Sequence, residues 1–203
     1  MMWRLLFAAA GMLMLAGGPR HPAGSMLEML SHHDWFMAHA LVTLGYGTMV
    51  AGLIAFLRAG ATTPTMKRWT RFAIAGTALQ TLEMAVHTAA MVDAGNLAAG
   101  HATPVLTTHL GMSMVFYPLF GFTSAAFFIT GMRERAIGSP WIVWIGVIGT
   151  VANGIAPILV GLVGWAEARI LFVFMVGIAI WLLAAAVWPT SAARALVPFA
   201  ARD

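Results

Sequence analysis

Three histidines occur at similar depths in three consecutive long apolar segments of the chain. His39 and His109 each follow the start of their segment by about four residues, and His87 precedes the end of its segment by about six. Successive spans run antiparallel, so a rise of about 1.5 Å per residue places all three imidazoles about 6–9 Å below one membrane surface. Glu83 lies one helical turn deeper than His87 on the same face.

Imidazoles and carboxylates are ligands of zinc, copper and non-haem iron. The sequence therefore predicts a transition-metal site formed by His39, His87 and His109. Glu83 is predicted to be either the fourth ligand or the partner that orients a ligating imidazole. Ionisable groups inside a membrane are costly and therefore point to function. A single buried histidine, by contrast, is more often a structural residue that hydrogen-bonds between helices.

Other polar residues extend this arrangement in both directions along the same three segments. The deeper residues are candidates for a second shell or a path toward mid-membrane, and the outer residues are candidates for additional ligands. The deeper set is Thr43, Tyr46, Gln80, Ser113 and Tyr117, and the outer set is His32, His33, Asp34 and His101. Tyr46 and Tyr117 are the two tyrosines of the chain, and Gln80 is its one glutamine.

Two further functions are compatible with the same residues. Two histidines on facing helices at matched depth could ligate a b-type haem, which would exchange electrons with quinol or a periplasmic carrier. Alternatively, the polar residues could form the path of a small proton-linked transporter, or the chain could be an accessory subunit of a membrane complex. The chain lacks the GxSxG, Walker A and HExxH signatures. No catalytic residue and no enzyme class are therefore predicted.

Composition indicates the elements that must position these residues. Hydrophobic residues make up 61% of the 203-residue chain and charged residues only 9%, against about 25% charged in soluble domains. Lipid permits only helices or closed barrels, and the apolar segments show no strand-like alternation. We therefore expect an all-α, polytopic transmembrane helical bundle. Its five long spans are predicted at Trp35–Leu57, Phe72–Val92, Val105–Met132, Trp141–Gly164 and Ile170–Trp188.

Basic residues predict the orientation of this bundle. Nine lie at one side, in the connections, the C-terminal tail and near the N-terminus, and only Arg20 and Arg169 lie at the other. The richer side should be cytoplasmic, which leaves the histidine-rich face extracytoplasmic. The basic sequence pI of about 10.7 therefore reflects topology, and we expect the lipid bilayer as partner and not nucleic acid. A membrane-complex partner or a homo-oligomer remains open. Ten arginines against one lysine suggest a bacterial plasma (inner) membrane.

The predicted domain organisation has four parts. Residues 1–18 are an apolar segment that resembles either a secretory signal or a first span. Residues 19–34 form an extracytoplasmic segment, residues 35–188 the bundle, and residues 189–203 a cytoplasmic tail. Tryptophans near the predicted span ends, including Trp35, fit an aromatic belt at the membrane interface.

Overall fold

The computed structural model describes residues 2–59 and 63–188, and within them all regular structure is helical. The tail predicted at 189–203 lies outside these residues. The α-helices, numbered in chain order, are α1 Met2–Gly17, α2 Met26–Leu30, α3 Trp35–Ala59, α4 Pro64–Ala89, α5 Ala94–Ala98, α6 Pro104–Arg133, α7 Pro140–Gly161 and α8 Met175–Val187. A 3₁₀ segment, Ala166–Phe174, precedes α8. The predicted all-α helical bundle is confirmed.

Six of the described helices are long, and they pack as a closed ring. Each contacts its neighbours in the order α1, α3, α4, α6, α7 and α8, and α8 contacts α1 again. The first helix approaches its neighbours closely through glycines. A Cβ on Gly17 would lie 2.6 Å from the carbonyl oxygen of Ala38, and one on Gly11 would lie 2.9 Å from that of Ala179. The N-terminal apolar segment is therefore a sixth long helix of the bundle.

Five of the described helical segments are long and apolar enough to cross a membrane. They are Met2–Arg20, Trp35–Ala59, Pro104–Arg133, Pro140–Gly161 and Ala166–Val187. The remaining long helix, α4, is as long as these and packs between α3 and α6. It is less apolar because it carries basic residues in its first turns and the polar side chains of Gln80, Glu83 and His87 further along. The chain is thus a multi-span helical membrane protein, and its least apolar long helix carries the candidate site.

Several predicted span boundaries differ from the structure. Helix α4 begins at Pro64 and not at Phe72, because Thr63 caps its first turn by accepting a hydrogen bond from the Met66 amide at 3.1 Å. It ends at Ala89, before the predicted Val92, in a 3₁₀ turn. The last predicted span, 170–188, is irregular in its first part, since 3₁₀ turns continue to Phe174. The apolar composition indicated these segments but not their backbone geometry.

The interior differs between the two ends of the ring. The half that contains Arg4 and Arg58 is filled by interlocking aromatic rings. Trp181 stacks on Phe128 with ring centroids 3.8 Å apart, and Phe7 lies 5.8 Å from Trp181. The opposite half, formed by the start of α3, the end of α4 and the start of α6, contains the buried side chains of His39, Glu83 and His109. The ring of helices therefore encloses the histidine and glutamate side chains at one end and closely packed aromatic side chains at the other.

Candidate metal centre

Helix direction brings the predicted ligands to one end of the bundle. His39 is in the second turn of α3, His109 is in the second turn of α6, and His87 is in the last turn of α4. Asp93 fixes the start of α6 because its buried carboxylate accepts a hydrogen bond from the Leu106 amide at 2.9 Å. The three imidazoles thus lie together at one end of the bundle.

The imidazoles form a continuous line of ring contacts. The His39 and His87 rings stack with centroids 4.4 Å apart, and the His87 and His109 rings meet edge to face at 3.9 Å. His39 and His109 are only 2% and 7% exposed. A fourth histidine, His21, continues the line outward, with its ring 4.7 Å from that of His39. This line runs from an exposed residue to the buried interior.

Glu83 lies at the inner end of the line and is fully buried. Its Oε1 is 2.5 Å from Nδ1 of His109 and 4.0 Å from Nδ1 of His87. Its Oε2 accepts a hydrogen bond from the Gln80 amide at 3.1 Å. Glu83 therefore pairs with His109 on α6, although its sequence spacing suggested a partner on its own helix.

In three of these histidines, Nδ1 donates a hydrogen bond to a neighbouring acceptor, which fixes the orientation of the ring. His39 donates to the Trp35 carbonyl at 2.6 Å and His21 to the Pro22 carbonyl at 2.8 Å, because a carbonyl oxygen can only accept. The Glu83 carboxylate holds His109 in the same way. Each ring then presents the lone pair of Nε2. Metal-binding histidines are oriented by such partners, which fix the tautomer and raise the basicity of the ligand.

His87 differs from the other three histidines. Among the described residues, both of its ring nitrogens are buried and neither has a hydrogen-bond partner, and the same holds for Nε2 of His39. An unsatisfied buried polar group costs about 1–3 kcal/mol, and native proteins generally provide a partner. His87 is also surrounded by the rings of Trp35, His39 and His109. The arrangement thus leaves buried ring nitrogens without a hydrogen-bond partner inside the histidine cluster.

Two overlapping sets of side chains could hold an ion. Glu83, His87 and His109 form the inner set, and His21, His39 and His87 form the outer set. Within each set the ligand atoms lie within 4.8 Å of one another. Two donors on opposite sides of an ion with bonds of about 2.0–2.2 Å are separated by at most about 4.4 Å. The donor atoms of each set therefore lie close to the spacing that a single ion requires.

The deeper polar residues connect the neighbouring helices. The Thr43 hydroxyl donates to the His39 carbonyl at 2.8 Å, and Asn153 of α7 donates to the Tyr46 hydroxyl at 3.4 Å. The hydroxyl of Tyr117 contacts the sulfur of Met84 at 3.3 Å, and Ser113 donates to the carbonyl one turn earlier in α6. The side-chain amide of Gln80 is connected to the candidate site by its hydrogen bond to the Glu83 carboxylate.

The predicted outer ligands are not drawn into this cluster. His32, His33 and Asp34 form a separate group near the surface, in which Nε2 of His33 lies 3.3 Å from the Asp34 carboxylate. His101 is exposed in the loop before α6. These four residues therefore remain candidates only for a distinct surface site.

Two residues of the cluster were not predicted as such. Trp35 is buried, stacks on the ring of His87 and lies against the ring of His39, so it belongs to the cluster. Its i, i+4 spacing to His39 is a signal that could have found it. His21 follows α1 in an irregular segment, where no periodicity relates it to His39. Burial of its ring lowers the pKa of His21, against the opposing effect of the hydrogen bond to Pro22.

Comparison of the chain with models of protein families, with characterised proteins and with solved structures finds no match. The geometry itself tests the predicted cofactors. A bis-histidine haem needs its macrocycle between the two axial imidazoles. The His39 and His87 rings instead touch directly, as do the His87 and His109 rings, so neither of these two pairs leaves room for a haem between its imidazoles. Imidazole nitrogens with a nearby carboxylate do fit a single transition-metal ion.

Proposed function

We propose that this chain is a membrane protein that binds a transition-metal ion in a site at the extracytoplasmic end of its helix bundle. Its histidine ligands are drawn from His39, His87 and His109, and His87 is the central one. Glu83 holds His109 in the ligating tautomer and supplies a negative charge beside the ion. The observation that carries the proposal is the pair of unpartnered, buried nitrogens of His87 within a cluster of imidazoles.

The donor set limits the metals that suit the site. Two histidines with a carboxylate occur in zinc sites and in non-haem iron sites, and imidazole also suits copper. The sequence contains no cysteine, so no thiolate is available to select a soft metal. A bound ion would supply Lewis-acid or redox chemistry, while the chain's own residues would hold it and orient the imidazoles.

The alternative functions have less support. The stacked imidazoles argue against a haem at these pairs. A transport path would have to cross the bundle, but the aromatic layer around Trp181 and Phe128 fills the opposite half of the described interior. We place the protein in a bacterial plasma membrane with its C-terminus in the cytoplasm, because of the arginine-rich composition and the basic residues at that end.

Metal analysis of the purified protein tests this proposal. The wild type, after loading and removal of free metal, should contain a stoichiometric amount of Zn, Cu or Fe and should show no Soret band. His87→Ala should lose the metal but keep its helical circular dichroism. His101→Ala, which removes an exposed histidine, should keep the metal. A wild type that retains no metal, or a His87→Ala variant that retains as much as the wild type, contradicts the proposal.

A further inference from the structure

The line of four histidines contains two overlapping ligand sets that share one residue. The outer set is His21, His39 and His87, and the inner set is Glu83, His87 and His109. Centroid distances of 4.7, 4.4 and 3.9 Å connect the four rings in order from His21 to His109. His21, which is an exposed residue, is at one end, and fully buried Glu83 is at the other.

We propose that the two sets are successive positions of a single metal ion, which moves between them by exchanging ligands around His87. This inference rests on the proposed metal site and assigns His21 as the first ligand that an incoming ion meets. His39 belongs to the outer position and His109 to the inner one, and His87 remains bound in both.

The chemistry of His87 suits this shared role. Among the described residues it is the histidine of the line whose two nitrogens both lack a partner, whereas His21, His39 and His109 are each held at Nδ1. No partner therefore fixes its tautomer, and either nitrogen can present a lone pair. A neutral imidazole has only one such lone pair, so His87 serves one ion at a time.

Electrostatics also favours one ion over two. Glu83 is the sole carboxylate of the two sets. Two divalent ions would bring four positive charges against one negative charge in a buried site, where Coulomb repulsion is much stronger than in water. A single ion that alternates between the two positions avoids this repulsion.

Zinc exchange kinetics test the inference on the full-length protein in detergent micelles. Loading is followed after mixing with ZnCl₂, and release is followed into a coloured chelator. His21→Ala should still bind one zinc per chain, because the inner set is intact, but loading and release should both slow several-fold. This follows because only the intermediate outer position is lost. The control His101→Ala should match the wild type in both rates.

The inner position is tested with His109→Ala. This variant should hold zinc more weakly and release it faster, because the ion is left with His21, His39 and His87. Two zinc ions bound along the histidine line of one wild-type chain, or a His21→Ala variant with wild-type rates, would overturn the inference while the proposed site survives. Absence of zinc binding in the wild type would overturn the proposed function itself.

Discussion

Replacing His87 by leucine should change the stability of the protein in opposite directions with and without metal. Leucine fills a similar volume but brings no polar atom. In the metal-free protein, the substitution removes two buried nitrogens that have no partner. Each unsatisfied buried group costs about 1–3 kcal/mol, and part of that gain is offset by the loss of ring contacts with Trp35 and His39. We expect His87→Leu to raise the free energy of unfolding by about 1–2 kcal/mol.

Metal should reverse the order of stability. An ion that binds only the folded protein stabilises it by about 2.7 kcal/mol when its free concentration is 100 times its dissociation constant. The wild type should gain this amount, and His87→Leu should gain none. The wild type is then the more stable protein in zinc and the less stable one in chelator.

Unfolding in mixed micelles, followed by circular dichroism with either zinc or chelator present, measures both differences. His101→Leu is the matched control, because His101 is exposed and lies outside the cluster, and it should behave like the wild type. A His87→Leu variant that is less stable than the wild type in chelator would show that His87 is a structural residue. Equal stabilisation of both proteins by zinc would place the ion elsewhere.

The remaining predictions concern packing, pH and orientation. Gly121→Ala should cost about 1–3 kcal/mol in the same unfolding assay, because its Cβ would lie 2.7 Å from a backbone oxygen of α7. Gly111→Ala in the same helix has open space and should be neutral or slightly stabilising. Ser25 is the N-cap of α2, and its backbone amide and its hydroxyl hydrogen-bond to Glu28. These hydrogen bonds lower the pKa of Glu28. The contribution of this carboxylate to the stability of α2 is therefore present above its pKa in the unfolded chain and is lost as the pH falls through its pKa in the folded protein. A carboxyl NMR titration of Glu28 with an ordinary midpoint would contradict this. Reporter fusions should give a cytoplasmic signal after Asp203 and none at Gly100, and the reverse pattern would refute the orientation.

The sequence was sufficient to predict the class of fold and the depth of the site. Apolar segments about 20 residues long dictate membrane helices, and a constant rise per residue makes depth a matter of counting. His39, His87 and His109 could therefore be assigned to one layer. The start of α4 was predicted too late, because Lys67 and Arg68 in its first two turns obscure a helix start that Thr63 and Pro64 define.

The contacts within the site could not be predicted in the same way. Which faces of α4 and α6 meet depends on the rotation of each helix, and this is set by packing of the whole ring. Glu83 therefore holds His109, 26 residues away, and not the nearby His87. His21 joins the cluster through an irregular segment after α1, and the backbone path of such a segment leaves no periodic pattern in the sequence.

An anomalous diffraction map from crystals of the zinc-loaded protein, collected at the zinc absorption edge, tests the central claim most directly. The account predicts one strong peak per chain, bonded at about 2.0–2.1 Å to a nitrogen of His87 and to at least one other histidine of the line. A peak only at the surface group of His32, His33 and Asp34, or no peak at all, would contradict it.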